Sequence, residues 1–183
     1  MKYINRWGLM RNLRNENLTE HSAECAMLSH ALALAGNRYF GKSYDAERIA
    51  VYALYHDMSE IFTGDLPTPV KYFNSSIRDS YKQLERNALD NALSKLPKEL
   101  RGDFSDILLF EELDEQAKKI VKAADKICAY LKCVEEYKNG NNEFKMALET
   151  TERAVRELAL SMPEVDWFMK NASSAYEKPI DEL

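Results

Sequence analysis

Histidine is scarce in this chain, with three in 183 residues. A site built from many imidazoles, or a triad drawn from many candidates, is excluded by supply. Glycine and proline are also few, at 6 and 5 residues, about half their usual combined share of roughly 12%. Few turn formers mean few turns, which argues against a sandwich or barrel and for long helices. The three cysteines, Cys25, Cys128 and Cys133, form no C-x-x-C pair. So sparse and odd a set points to reduced thiols in a cytoplasmic protein, without a disulfide framework. Excess positive charge is missing too. The net charge of −5 and pI of about 5.4 do not suit a polymeric nucleic acid partner, though a local basic pocket for a small anion remains compatible. No apolar run approaches a membrane span, and Met1 to Met10 lacks a signal core.

What is present suffices for a core: 45% hydrophobic and 30% charged residues describe a globular chain. With no repeat, linker or low-complexity tract, residues 1–183 are read as one domain.

The periodicity is helical throughout. Asn17-Leu18-Thr19-Glu20 resembles a capping box, predicting a helix to about Ala35 with Gly36 as its stop. Its stripe is His21, Cys25, Leu28 and Leu32. Asp45 can cap a second helix to about Thr63, with Ile49, Ala53, His56 and Glu60 on one face and Gly64 closing it. Further helices are expected over Ser75–Ser94, from Pro97 to near Leu109, from about Asp114 to Asn139 with Gly140 as its stop, over Asn142–Leu160, and from Pro163. No segment alternates as a strand should, so the class is all-α.

Three positions break the apolar pattern. His56-Asp57 ends the run Ala50 to Tyr55, and Glu60 lies one turn beyond His56, so the two project together. A His-Asp pair is weak alone, and a helix that simply ends its core face there would explain it. Crowded carboxylates beside a core, however, must be paired or bound to a cation. His21 offers a second imidazole, although a solvent-facing histidine near a helix start is the simpler account of it. His30 lies half a turn round from His21 and is assigned to packing or surface. Asp125 interrupts the stripe Val121, Asp125, Cys128; its plain alternative is a surface pair with Lys122. Together His21, His56, Asp57 and Asp125 supply two neutral imidazoles and two carboxylates, which balance one divalent cation. This mixed set suits Mn, Fe, Co, Ni or Zn better than Ca or Mg. Such an ion would lower the pKa of water near neutral pH.

These residues resemble the H…HD…D pattern of HD-domain metal-dependent phosphohydrolases. A closer resemblance is to the bacterial 5′-deoxynucleotidases. It is carried by Ile4-Asn5-Arg6-Trp7, by Arg11 through Ser22, by His56-Asp57-Met58-Ser59-Glu60, and by Thr63-Gly64-Asp65-Leu66-Pro67-Thr68-Pro69 through Asn74. Ala124-Asp125, Cys128 through Cys133 and Gly140 through Phe144 add to it, so nearly the whole chain is covered. The resemblance implies an HD-domain bundle of about six to seven helices, usually a homodimer, that removes phosphate from deoxynucleoside 5′-monophosphates with one divalent cation such as Co or Mn. It implies His21, His56, Asp57 and Asp125 as ligands, Glu60 and Asp65 as acid/base groups, Arg6 as phosphate clamp and Trp7 as reader of the sugar. The structural alternative for Arg6 and Trp7 is a surface cation beside a packing aromatic.

Two departures stand out. The chain begins five residues before Arg6, where relatives carry a further short helical segment, and Gly8 stands where a proline follows the tryptophan. Glycine is the freer residue, so a looser Arg6-Trp7 loop and weaker sugar discrimination are expected. Competing readings are another HD-type phosphohydrolase acting on a dinucleotide or alarmone, a non-catalytic metal-stapled helical module, and a purely structural helical protein.

Overall fold

Asn17 begins the first helix as its spacing predicts. The computed structural model describes residues 1–177 and 181. In it the Asn17 side chain accepts from the N–H groups of Thr19 and Glu20, at 2.9 and 3.1 Å, and the Glu20 carboxylate accepts from the Asn17 N–H at 3.1 Å. The exchange satisfies N–H groups that a helix start leaves open and is worth about 1 kcal/mol.

Helix α1 spans Leu18–Tyr39 and does not stop at Gly36. A Cβ at Gly36 would lie 2.7 Å from the Tyr44 ring. Glycine inside a helix costs about 0.5–1 kcal/mol, but overfilling a packed contact costs about 1–3 kcal/mol, so the close approach of Tyr44 accounts for this glycine. Asn37 ties the returning chain, donating to the Tyr44 carbonyl at 2.8 Å and accepting from its N–H at 2.7 Å.

Helix α2 (Ala46–Tyr55), capped by Asp45, is shorter than its sequence pattern implies. At 56–59 the chain tightens: Met58 N–H bonds Tyr55 and Glu60 N–H bonds Asp57, both at 3.0 Å. These three-residue bonds replace the four-residue ladder, and a four-residue helix α3 (Glu60–Thr63) follows, ended by Gly64 at φ 72°. The remaining helices are α4 (Thr68–Lys71), α5 (Ser75–Ser94), α6 (Arg101–Leu108), α7 (Phe110–Leu113), α8 (Glu115–Lys138), α9 (Lys145–Ser161) and α10 (Pro163–Asn171). The expected fourth helix is a 3₁₀ turn, Lys98–Leu100, followed by α6, and the expected sixth opens with a 3₁₀ turn, Asn142–Phe144. Among the described residues the helices of eight residues or more number seven, in keeping with the all-α class. Among the described residues the only β pairing is an isolated bridge between Asn5 and Asn17.

Helix α1 packs between α2 and α8, with α9 behind α8 and α10 closing over α1 and α9. The core is built from the predicted stripe (Cys25, Leu28, Leu32), Ile49 and Ala53 of α2, and Ile120, Val121, Ala124 and Ile127 of α8. Helix α5 lies at the edge, against α3, α4 and α6, and buries only Tyr81 and Ala88.

Residues before α1 form a strap pinned to the far end of α8. Glu136 is buried there and accepts from Leu13 N–H (2.9 Å), Arg14 N–H (3.2 Å), Asn141 Nδ2 (2.7 Å) and Lys132 Nζ (2.6 Å). Burial raises its pKa, but Lys132 and these donors outweigh it and bring the value down to about 2. The unfolded chain, near the ordinary 4.5, takes up this proton first as pH falls. The stabilisation is therefore complete above about pH 4.5 and gone by about pH 2. Glu136→Gln strands buried Lys132 and should cost on the order of 3 kcal/mol at pH 7. Denaturant titrations should show its gap to wild type closing from pH 4.5 to 2; a constant gap would refute this role.

Candidate metal centre

His21, His56 and Asp57 come together in one cluster, with Asp125 beside His21. His21 sits in the first turn of α1, His56 and Asp57 lie where α2 gives way to the tight turn, and Asp125 is in the middle of α8. The His21 side chain is fully buried, unlike a solvent-facing histidine. Lys122, the simple partner considered for Asp125, instead pairs with Glu111 at 3.1 Å. Asp125 faces inward, with Oδ1 3.3 Å from His21 Nε2 and 3.6 Å from Arg6 Nη2. His30 is half-buried on another face of α1.

The two imidazole rings are 5.3 Å apart, centre to centre. Asp57 Oδ2 lies 3.5 Å from His21 Nε2 and 3.1 Å from His56 Nε2. One nitrogen from each ring and one Asp57 oxygen all fall within 4.8 Å of one another. Both Nε2 atoms are buried without a hydrogen-bond partner. Buried polar atoms ordinarily have partners, and two of them turned toward a carboxylate make a donor set that fits a cation. At His56 the orientation is fixed by Nδ1, which lies 2.7 Å from the Ala53 carbonyl. A proton on Nδ1 donated there leaves Nε2 as the free base.

Charge around the cluster is strongly coupled. Burial lowers the His56 pKa, but the nearby charges of Asp57 and Asp125 outweigh it and raise the value to about 9. Asp57 and Asp125 are held below the ordinary carboxylate range despite burial, by His56 in the first case and by His21 and Arg6 in the second.

Glu60 behaves oppositely. It is buried, its Oε2 has no partner, and burial with the charges of Asp57 and Asp65 pushes its pKa up to about 9. Asp65, just past Gly64, is also raised by burial, against the pull of Arg6.

The strap delivers Arg6 and Trp7. Arg6 N–H bonds the Glu16 carbonyl and Leu18 N–H bonds the Ile4 carbonyl, both at 2.9 Å. The Arg6 guanidinium donates to His21 Nδ1 at 2.5 Å. Trp7 packs on Phe144, with ring centres 5.4 Å apart, and donates its indole N–H to Glu16 at 3.2 Å. Its φ is 60°, in the left-handed region rare for a bulky residue. Gly8 imposes no pre-proline restriction on it. Phe144 and Glu16 thus hold the Trp7 side chain from two sides. In the sequence Glu16 stands out only within the stretch Arg11 through Ser22 that carries the resemblance, and Glu136 has no local signal.

The sequence model of the YfbR-like 5′-deoxynucleotidases matches residues 1–176. The chain belongs to this family. It is 48% identical to the 5′-deoxynucleotidase YfbR of Escherichia coli across all of its length and 91% of that protein. It is 46% identical to a 5′-deoxynucleotidase of Vibrio vulnificus over 93% of that protein. Among solved structures, an HD-domain phosphohydrolase of Listeria innocua superposes with a TM-score of 0.83 at 22% identity, covering 96% of this chain and 83% of its own. The HD phosphohydrolase DatZ of cyanophage S-2L, solved with dA and one catalytic Zn²⁺, gives a TM-score of 0.65 at 20% identity, with coverage of 97% and 93%. These distant folds agree with the all-helical architecture of this chain.

Proposed function

We propose that this chain hydrolyses deoxynucleoside 5′-monophosphates to deoxynucleosides and phosphate with one divalent cation. The observation that carries this reading is the pair of unpartnered, buried Nε2 atoms of His21 and His56 facing Asp57, with Arg6 and Glu60 beside them. Family membership supports the phosphomonoesterase activity, and the dA and Zn²⁺ bound to the cyanophage enzyme accord with the substrate and cofactor class.

His21, His56, Asp57 and Asp125 would hold the cation. When bound, it supplies Lewis acidity toward phosphate oxygens and lowers the pKa of water. The Arg6 guanidinium, a rigid fork of donors, would clamp the phosphate. A 5′-alkoxide is a poor leaving group, and a neutral Glu60 can protonate it. Asp65 is the second acid/base group. The indole of Trp7, fixed between Phe144 and Glu16, would pack against C2′ and reject a ribose hydroxyl by shape. Residues 1–183 act as one domain in this reading.

A homodimer fits the peripheral α5, whose Ile77 and Leu84 remain exposed; sedimentation of the purified protein tests it. Three free, buried cysteines fit a cytoplasmic setting. Among the described residues no helix is long and apolar enough to cross a membrane.

A panel of dAMP, dGMP, dTMP, AMP and a dinucleotide, assayed with Mn²⁺, Co²⁺ or Zn²⁺ and with chelator, tests the activity. Phosphate release from the deoxynucleotides that chelator abolishes is expected. Pyrophosphate release, or turnover of the dinucleotide alone, would favour the other HD-type reading instead.

A further inference from the structure

The first turn of α1 and the strap meet at Glu16, which is 8% exposed. Both of its oxygens lie 3.5 Å from Arg6 Nη1. Oε2 accepts from the Trp7 indole at 3.2 Å, and Oε1 lies 3.7 Å from His21 Nδ1. One carboxylate thus touches the guanidinium, the indole and an imidazole to which the proposed function assigns three different tasks.

We propose that Glu16 is a positioning residue that couples cation binding at His21 to the placement of Arg6 and Trp7. The inference rests on the proposed function for the roles of those three residues, but its geometry is independent of that reading. An imidazole that gives Nε2 to a cation carries its proton on Nδ1 and needs an acceptor there. Glu16 is the carboxylate that the structure places at that nitrogen. Arginine only donates, so the guanidinium at His21 Nδ1 occupies the same nitrogen in competition with that proton. A carboxylate that receives both groups lets Nδ1 exchange the guanidinium for its own proton without leaving either one unpaired. The same oxygens fix the rotation of the indole, whose backbone sits at φ 60°. Glu16 therefore influences cation affinity through His21 and the selection of sugar through Trp7.

Glu16→Gln preserves the shape of the side chain and removes its charge. Isothermal titration with Mn²⁺ alone, without nucleotide, should show affinity falling about 10–100-fold, the scale for losing the outer partner of a ligating histidine. At saturating Mn²⁺ the ratio of kcat/KM for dAMP over AMP should fall as well. Trp7→Phe removes the indole donor together with one ring of the sugar-facing surface and should lower that ratio while keeping wild-type Mn²⁺ affinity. If Glu16→Gln does not fold by circular dichroism, Glu16→Asp, which withdraws the carboxylate by one methylene, takes its place with the same expected directions. A folded variant with lowered Tm, but with wild-type Mn²⁺ affinity and an unchanged dAMP:AMP ratio, would overturn the proposal and leave Glu16 a packing residue. If wild type binds Mn²⁺ but does not hydrolyse dAMP, the proposed function fails while the Mn²⁺ titration still decides the role of Glu16 at His21.

Discussion

Asp57→Ala should lower phosphate release from dAMP by on the order of 10³-fold or more, because the proposed cation would supply both charge stabilisation and water activation. Asp57 is the carboxylate that reaches both imidazoles, its Oδ2 3.5 Å from His21 Nε2 and 3.1 Å from His56 Nε2. Without it the carboxylate that remains is Asp125, 3.3 Å from His21 Nε2. The loss should also be visible without substrate. A cation at 100 times its Kd stabilises the folded chain by about 2.7 kcal/mol, which for a domain of this size raises Tm by several degrees, about 2–4 °C per kcal/mol. Wild type should show that rise with Mn²⁺ or Co²⁺, and Asp57→Ala should not. Full activity in the variant would sink the metal-dependent reading. A lost thermal shift in a chain that never hydrolysed dAMP would leave the metal-stapled module standing.

Glu60→Gln should separate chemistry from cation binding. Glu60 is not among the four proposed ligands, so the thermal shift with metal should persist while kcat falls by about 10²–10⁴-fold, the usual worth of a positioned proton donor. The pH profile carries the sharper signature. Burial, then Asp57 and Asp65, raise the Glu60 pKa to about 9, so near neutral pH the group is protonated, the form a general acid requires. Activity should therefore fall as pH rises through that value. A bound cation favours the carboxylate and draws the midpoint below about 9. In Glu60→Gln this alkaline limb should disappear along with most of the rate. Unchanged hydrolysis with metal bound would remove Glu60 from the chemistry.

Much of the site was legible locally. His21 recurs with Cys25, Leu28 and Leu32 on a buried stripe, and the structure buries all four. His56 and Glu60 stand one turn apart in sequence, and both are turned inward. The helix ends set by Asn17, Gly64 and Gly140 follow from capping and from the φ of 72° and 91° at the two glycines. Other local signals misled. Gly36 reads as a helix stop, yet it serves a tertiary contact with Tyr44. The apolar pattern through Thr63 reads as one helix, yet three-residue hydrogen bonds break it at His56.

By itself the amino-acid sequence determined the helical class, the caps and the chemistry-bearing residue types, because each depends on neighbours within a turn or two. Its resemblance to 5′-deoxynucleotidases extended that to a family. Only the tertiary structure decided that Asp125, some 100 positions from His21, stands 3.3 Å from it. It also brought Glu16 to three groups at once and closed Glu136 over the strap. Such encounters depend on how α1, α2 and α8 pack, and no periodicity along the chain encodes the distance between side chains on different helices.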